Sequence, residues 1–178
     1  MARMKRLLLL TVLAALSAGC ASDYYLGTTL PENLRTVYLP AIRNESGEPS
    51  AALRVRQALE KEIRRDGTLR LVNDERDAAT RLDITVTRYE QEAVSYVSTN
   101  TQHPSEYRMT LSARVTFVKL PRPQAGETAE TVLWSKDPAR GTENFVGGAN
   151  AVSAKLECLP AAAQDLAETI VDGCVSPW

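Results

Sequence analysis

Residues 81–87 read RLDITVT and residues 107–117 read YRMTLSARVTF. In the first stretch Leu82, Ile84 and Val86 alternate with Arg81, Asp83, Thr85 and Thr87. In the second Met109, Leu111, Ala113, Val115 and Phe117 alternate with Arg108, Thr110, Ser112, Arg114 and Thr116. Successive side chains of a strand point to opposite faces, so strict period-two alternation predicts two half-buried strands. Each has one face for the core and one polar face. Ser98–Ser105 (STNTQHPS) reads as a polar loop, so the two strands are expected to form a long antiparallel hairpin whose tip projects past the core.

The flanking segments complete the pattern. Residues 131–136 (TVLWSK) predict one more strand after a Pro/Gly-rich turn at 121–127, and Gly/Asn-rich 138–150 reads as loop. Upstream, 34–42 (LRTVYLPAI) suits a strand that ends or lies at an edge near Pro40, which lacks an N–H to donate. Asn44–Pro49 is loop chemistry. In 50–66, Ala52, Val55, Leu59 and Ile63 form a helical stripe that Ser50 could cap and Gly67 end. Leu69–Val72 is a short strand. In 151–175, Leu159, Ala163, Leu166, Ile170 and Cys174 share a helix face, with Pro160 predicting a helix start or kink near 159. The order β-α-β-β-β-β-α predicts an α+β two-layer sandwich, two helices on one face of a mostly antiparallel sheet.

The N-terminus carries different information. Arg3, Lys5 and Arg6 precede the apolar run 7–16 (LLLLTVLAAL), and Ser17-Ala18-Gly19-Cys20 follows. A basic start, a short apolar run and small residues at the end predict a secretory signal over 1–19. The run is too short for a bilayer span, which needs about 20 apolar residues. L-S-A-G-C resembles the bacterial lipobox, with Ser17 where Leu is usual. Cys20 is the expected lipidation site, followed by a tether over 20–33 and a single periplasmic domain over 34–178. Three acyl chains would anchor the protein durably, since two already suffice. Ala21, rather than Asp, points by the same resemblance to the outer membrane.

Composition narrows the function. The 178 residues carry 21 Lys+Arg against 22 Asp+Glu, a net charge of -1, and losing 1–19 removes three cations and no acid. A mildly acidic domain lacks the electrostatic footprint of a nucleic-acid binder. One His and three Cys are too few soft ligands for most zinc sites, and no metal or cofactor is expected. No phosphate-binding glycine loop or nucleophile elbow occurs; Val146-Gly147-Gly148-Ala149 is too short to cradle a phosphate. His103 reads as a solvated loop residue, and Glu60, Glu62, Asp165 and Glu168 as solvated helix flanks. Cys158 and Cys174, sixteen residues apart on one helix, would stand about 24 Å apart at 1.5 Å per residue. A disulfide needs Cα atoms within about 7 Å, so two buried thiols are expected. No catalytic residue is expected.

An ordered series of segments carries a family resemblance. It runs through Tyr25–Pro31 (YLGTTLP), Arg35–Pro40 (RTVYLP), Arg65–Val72 (RDGTLRLV), Ala78–Leu82, Glu106-Tyr107-Arg108, Val132-Leu133-Trp134 and Asp165-Leu166-Ala167. Together with the lipobox it resembles the LPS-assembly lipoprotein LptE family, in its divergent, non-enteric branch. The resemblance implies a non-enzymatic plug and assembly partner of the LptD outer-membrane β-barrel, handling lipopolysaccharide. For its phosphates the candidate contacts are Arg81, Arg108 and Arg114, since Arg offers a planar, often bidentate fork. Arg108 and Arg114 would stand roughly 20 Å apart on one strand face, whereas Arg88 falls on the opposite phase. A second reading stays open: a lipoprotein regulating peptidoglycan synthesis or another envelope complex, whose folds also begin with a V-x-x-P strand, a helix and a strand.

Overall fold

The computed structural model describes residues 30–97, 100–122, 126, 128–146 and 151–176. The signal segment, Cys20 and the first part of the tether lie outside them. The strands are β1 (Thr36–Tyr38), β2 (Arg43–Asn44), β3 (Arg70–Val72), β4 (Thr80–Val97), β5 (Asn100–Lys119) and β6 (Thr131–Val146), and the helices are α1 (Ala51–Asp66) and α2 (Ala151–Val175). They form one sheet in the order β3-β1-β4-β5-β6, with β2 on β4. The long β4-β5-β6 ladder is antiparallel, while β1 pairs with β3 and β4, and β2 with β4, in parallel. Both helices lie on one sheet face, α2 along β6 and β5 and α1 against α2. The α+β two-layer reading therefore holds, with β2 as one short strand more than the sequence suggested.

Alternation set the strand phase correctly. Leu82, Ile84, Val86, Met109, Leu111, Ala113, Val115 and Phe117 are all buried beneath the helices. Val55, Leu59 and Ile63 of α1 and Leu159, Ala163, Leu166, Ile170 and Cys174 of α2 meet them in one core. Leu30, ahead of the expected domain start, is packed into the same core. Gly67 takes the left-handed conformation at φ 77° and donates its N–H to the Ile63 carbonyl, ending α1. Ser50 stands at the start of α1 without capping it; its hydroxyl is donated to Glu48 Oε1 at 2.7 Å.

Three expectations are corrected. Residues 100–105 are strand, not loop, so β5 begins at Asn100 and the backbone of His103 is part of it. A polar sequence is compatible with a ladder because strand pairing is a backbone property. Residues 138–146 continue β6. The glycine that suggested a loop, Gly141, is instead a point of close approach, since a Cβ there would run into the Ala162 carbonyl and the Leu166 nitrogen of α2. Finally, α2 begins at Ala151 with Pro160 inside it, so of the two expected alternatives the helix start near 159 is excluded. The carbonyl that Pro160 leaves without a helical donor is that of Leu156, an exposed residue that water can serve.

Glu62 and Asp165 are also more than solvated flanks. Glu62 is buried, and its carboxylate accepts from Arg65 at 2.9 Å and from Gln164 of α2 at 2.7 Å. That satisfies a charge which would otherwise be costly to bury. Asp165 accepts the Thr142 backbone N–H at 2.8 Å, closing one donor on the edge strand β6.

Cys158 and Cys174 are buried and form no disulfide, and they stand on one continuous helix. Burial pushes both thiols up, Cys174 by far the more strongly. A thiol raised in the fold stabilises it below the ordinary thiol range, about 8.5. That contribution is lost as pH rises, because the unfolded chain gains thiolate first. A Cys20→Ser chain should thus react slowly with a thiol reagent while folded and yield two thiols in denaturant. Its stability should fall above about pH 8.5, and less so when Cys174 is Ala in a comparison normalised for the packing loss.

Candidate functional site

Among the described residues no helix covers the second face of the sheet. Its alternating positions carry Arg81, Asp83, Thr85 and Thr87 of β4, then Arg108, Thr110, Ser112, Arg114 and Thr116 of β5. Short hydroxyls and charges dominate it. A bulge between Val86 and Arg88 resets the phase of β4, so that Arg88, Glu90 and Glu92 oppose Ser112, Thr110 and Arg108. Arg88 therefore shares this face, contrary to simple alternation, because a bulge adds one residue and inverts all that follow. On the other side of β5, Arg140 opposes Ser112. Reading 138–150 as loop concealed it; alternation from Trp134 allowing for one bulge would have found it.

The three cations singled out from sequence share the face but have different surroundings. Arg81 is the most committed. Its guanidinium meets Glu75 at 2.8 Å, Asp83 at 2.9 Å and Glu130 through two bonds of 2.8 Å. The hydrogen bonds to Glu130, then Glu75, outweigh its desolvation and hold it protonated well beyond the usual range. Arg114 donates to Asp137 at 2.7 Å, again raising its basicity. Asp137 sits in a β6 bulge, between the positions opposite Ala113 and Val115. Arg108 is exposed and donates to the neutral Asn144 at 3.0 Å. It borders a shallow cleft of about 360 Å3 shared with Thr142, Glu143 and Asn144.

Beyond the helices the β4-β5-β6 arm changes character. Tyr107 and Phe145 stack at 5.5 Å with an interplanar angle of 15°. Val94, Tyr96 and Val146 are exposed nearby on the arm. Those three side chains meet solvent, while Phe145 still packs against the edge of the core. Among the described residues no group of three or more His, Cys, Asp or Glu could hold a metal ion. No helix of those residues is long and apolar enough to cross a membrane.

With this geometry in place the comparisons are decisive about kinship. The family description "LptE: Lipopolysaccharide-assembly" matches residues 34–172, most of the chain and all eight elements in large part. The chain belongs to the LptE family. That settles the kinship between the two readings left open above, and LptE is a non-enzymatic lipoprotein family. No curated protein matches. Among solved structures, the hypothetical protein CT253 from Chlamydia trachomatis shares the fold at TM-score 0.53 and 7% identity, over 76% of this chain and 93% of that one. The uncharacterized lipoprotein B from Nitrosomonas europaea aligns at TM-score 0.49 and 16% identity, over 80% and 81% of the two chains. The rare lipoprotein B from Shewanella oneidensis aligns at TM-score 0.45 and 13% identity, over 77% and 92%.

Proposed function

We propose that this LptE-family chain is an outer-membrane lipoprotein, anchored through acylated Cys20, that plugs and helps assemble an LptD-type β-barrel. The observation carrying the proposal is the open, hydroxyl-rich sheet face on a two-layer domain. The interior of an outer-membrane barrel is polar and hydrated, and such a face can lie against it without burying unpaired groups. Lipopolysaccharide phosphates would then meet the face chiefly at Arg108, whose present partner is neutral. Arg114 joins after giving up Asp137, and Arg81, saturated by three carboxylates, contributes least.

The experiment is detergent co-purification of the lipidated full chain from its own envelope. Recovery of a large β-barrel with it, and an acylated Cys20 by mass spectrometry, supports the proposal. A mature N-terminus at any other residue, or recovery without a barrel, overturns it. Arg108→Ser with Arg114→Ser should weaken lipopolysaccharide binding in a chain whose circular dichroism is unchanged; undiminished binding would move the site off this face.

A further inference from the structure

A second concavity lies at the opposite end of the molecule from the arm's aromatic stack. The parallel strands β1 and β3 are joined through α1, and their carboxyl ends, Tyr38 and Val72, stand side by side in register. Where they stop, a half-enclosed cavity of about 450 Å3 opens between those ends and α1. Leu39, Ala41 and Leu71 supply apolar lining, the strand ends at Tyr38 and Val72 border it, and Arg56, Glu60, Arg64 and Asn73 supply its polar groups. Arg56, Glu60 and Arg64 are four residues apart, one stripe of the helix.

Two of these charges are already committed. Arg56 donates to the Leu39 and Pro40 carbonyls, at 3.3 and 2.9 Å, and pairs with Glu60 at 3.0 Å. These bonds tie the end of β1 to α1 and fix one wall. Arg64, a turn further along, is exposed and has no carboxylate partner among the described residues. The cavity thus combines a rigid wall, one uncommitted guanidinium and a carboxamide. Its size is within the range of small-molecule sites, about 300–1,000 Å3. Strand addition at the outer edge of β3 is a poor alternative occupant, because three residues give too short a template.

We propose that this cavity binds a small polar molecule bearing one oxyanion, a phosphoryl or carboxylate group held by Arg64, with Asn73 as a further hydrogen-bonding partner. Arg64 can offer the oxyanion a two-bond fork. Arg56 is a positioning residue, acting through the β1 carbonyls. The site is separate from the open sheet face, so the proposal stands or falls independently of the barrel partnership.

The test is an NMR titration of the folded Cys20→Ser chain with inorganic phosphate, acetate and glucose 6-phosphate, followed at the amides of Tyr38, Leu71, Val72 and Asn73. Saturable shifts at these amides with at least one probe are expected, weakened about tenfold or more in Arg64→Gln, as for a charge-assisted bond of about 1.5 kcal/mol. Preference for acetate identifies a carboxylate ligand; preference for either phosphate probe identifies a phosphoryl ligand. Arg64 is exposed, so its substitution leaves the fold intact. The proposal is overturned by absence of saturable shifts with all three probes, or by shifts that persist unchanged in Arg64→Gln.

Discussion

Gly141→Ala is expected to destabilise the domain by about 3 kcal/mol, the upper part of the usual cost of overpacking. The added methyl would meet the Ala162 carbonyl, the Leu166 nitrogen and the Leu166 Cβ. Two of those atoms are backbone, so no rotamer change relieves the overlap, and α2 must lift from β6. Gly173 provides the contrast. A Cβ there would meet the Trp134 ring, which is a side chain. Gly173→Ala should therefore be substantially rescued by Trp134→Leu, whereas Gly141→Ala should resist rescue by any side-chain truncation in α2. Urea denaturation of these variants and their doubles measures this directly. Near-neutrality of Gly141→Ala would mean that α2 does not approach β6 as closely as described.

Phe117→Ala should cost about 3–5 kcal/mol, the range for removing a large buried aromatic. Phe117 has no exposed surface and lies in register between Leu82 of β4 and Trp134 of β6. It is the largest fully buried side chain in the core, with helix above it and sheet around it. Its neighbour Thr116 belongs to the open face, so Thr116→Ala should stay within about 0.5 kcal/mol. Comparable losses at 116 and 117 in denaturant titrations would show both faces of β5 to be packed. A small loss at 117 with a large one at 116 would invert the strand phase.

Alternation in 81–87 and 107–117 was enough to choose the inner face of the sheet, because a one-residue slip would bury every Arg and Thr of those strands. The helical stripes and Gly67 were likewise legible, since they depend on local periodicity and on one residue's freedom at positive φ. The lengths of β4, β5 and β6 were not. Residues 88–97, 100–106 and 138–146 leave the core, or cross a bulge, and so lose the hydrophobic rhythm by which strands are recognised. The candidate cations were legible as a group, but Arg88 and Arg140 were hidden by the same effects.

What the sequence by itself determined is the lipoprotein-like N-terminus, the two-layer class and the polarity of the open face, all consequences of local pattern. The tertiary structure decided which charges remain available. Glu130, 49 residues on, joins nearby Glu75 in occupying Arg81, and Asp137 reaches Arg114 across a bulge, while Arg108 meets the Asn144 amide. Likewise Gly141 became a helix seat, and Arg64 an uncommitted cation beside a cavity, only when α2 met β6 and α1 met the ends of β1 and β3. The physical reason is range. Periodicity is written residue by residue, whereas the pairing of a charge or the need for a missing Cβ depends on partners that only folding brings within a few ångströms.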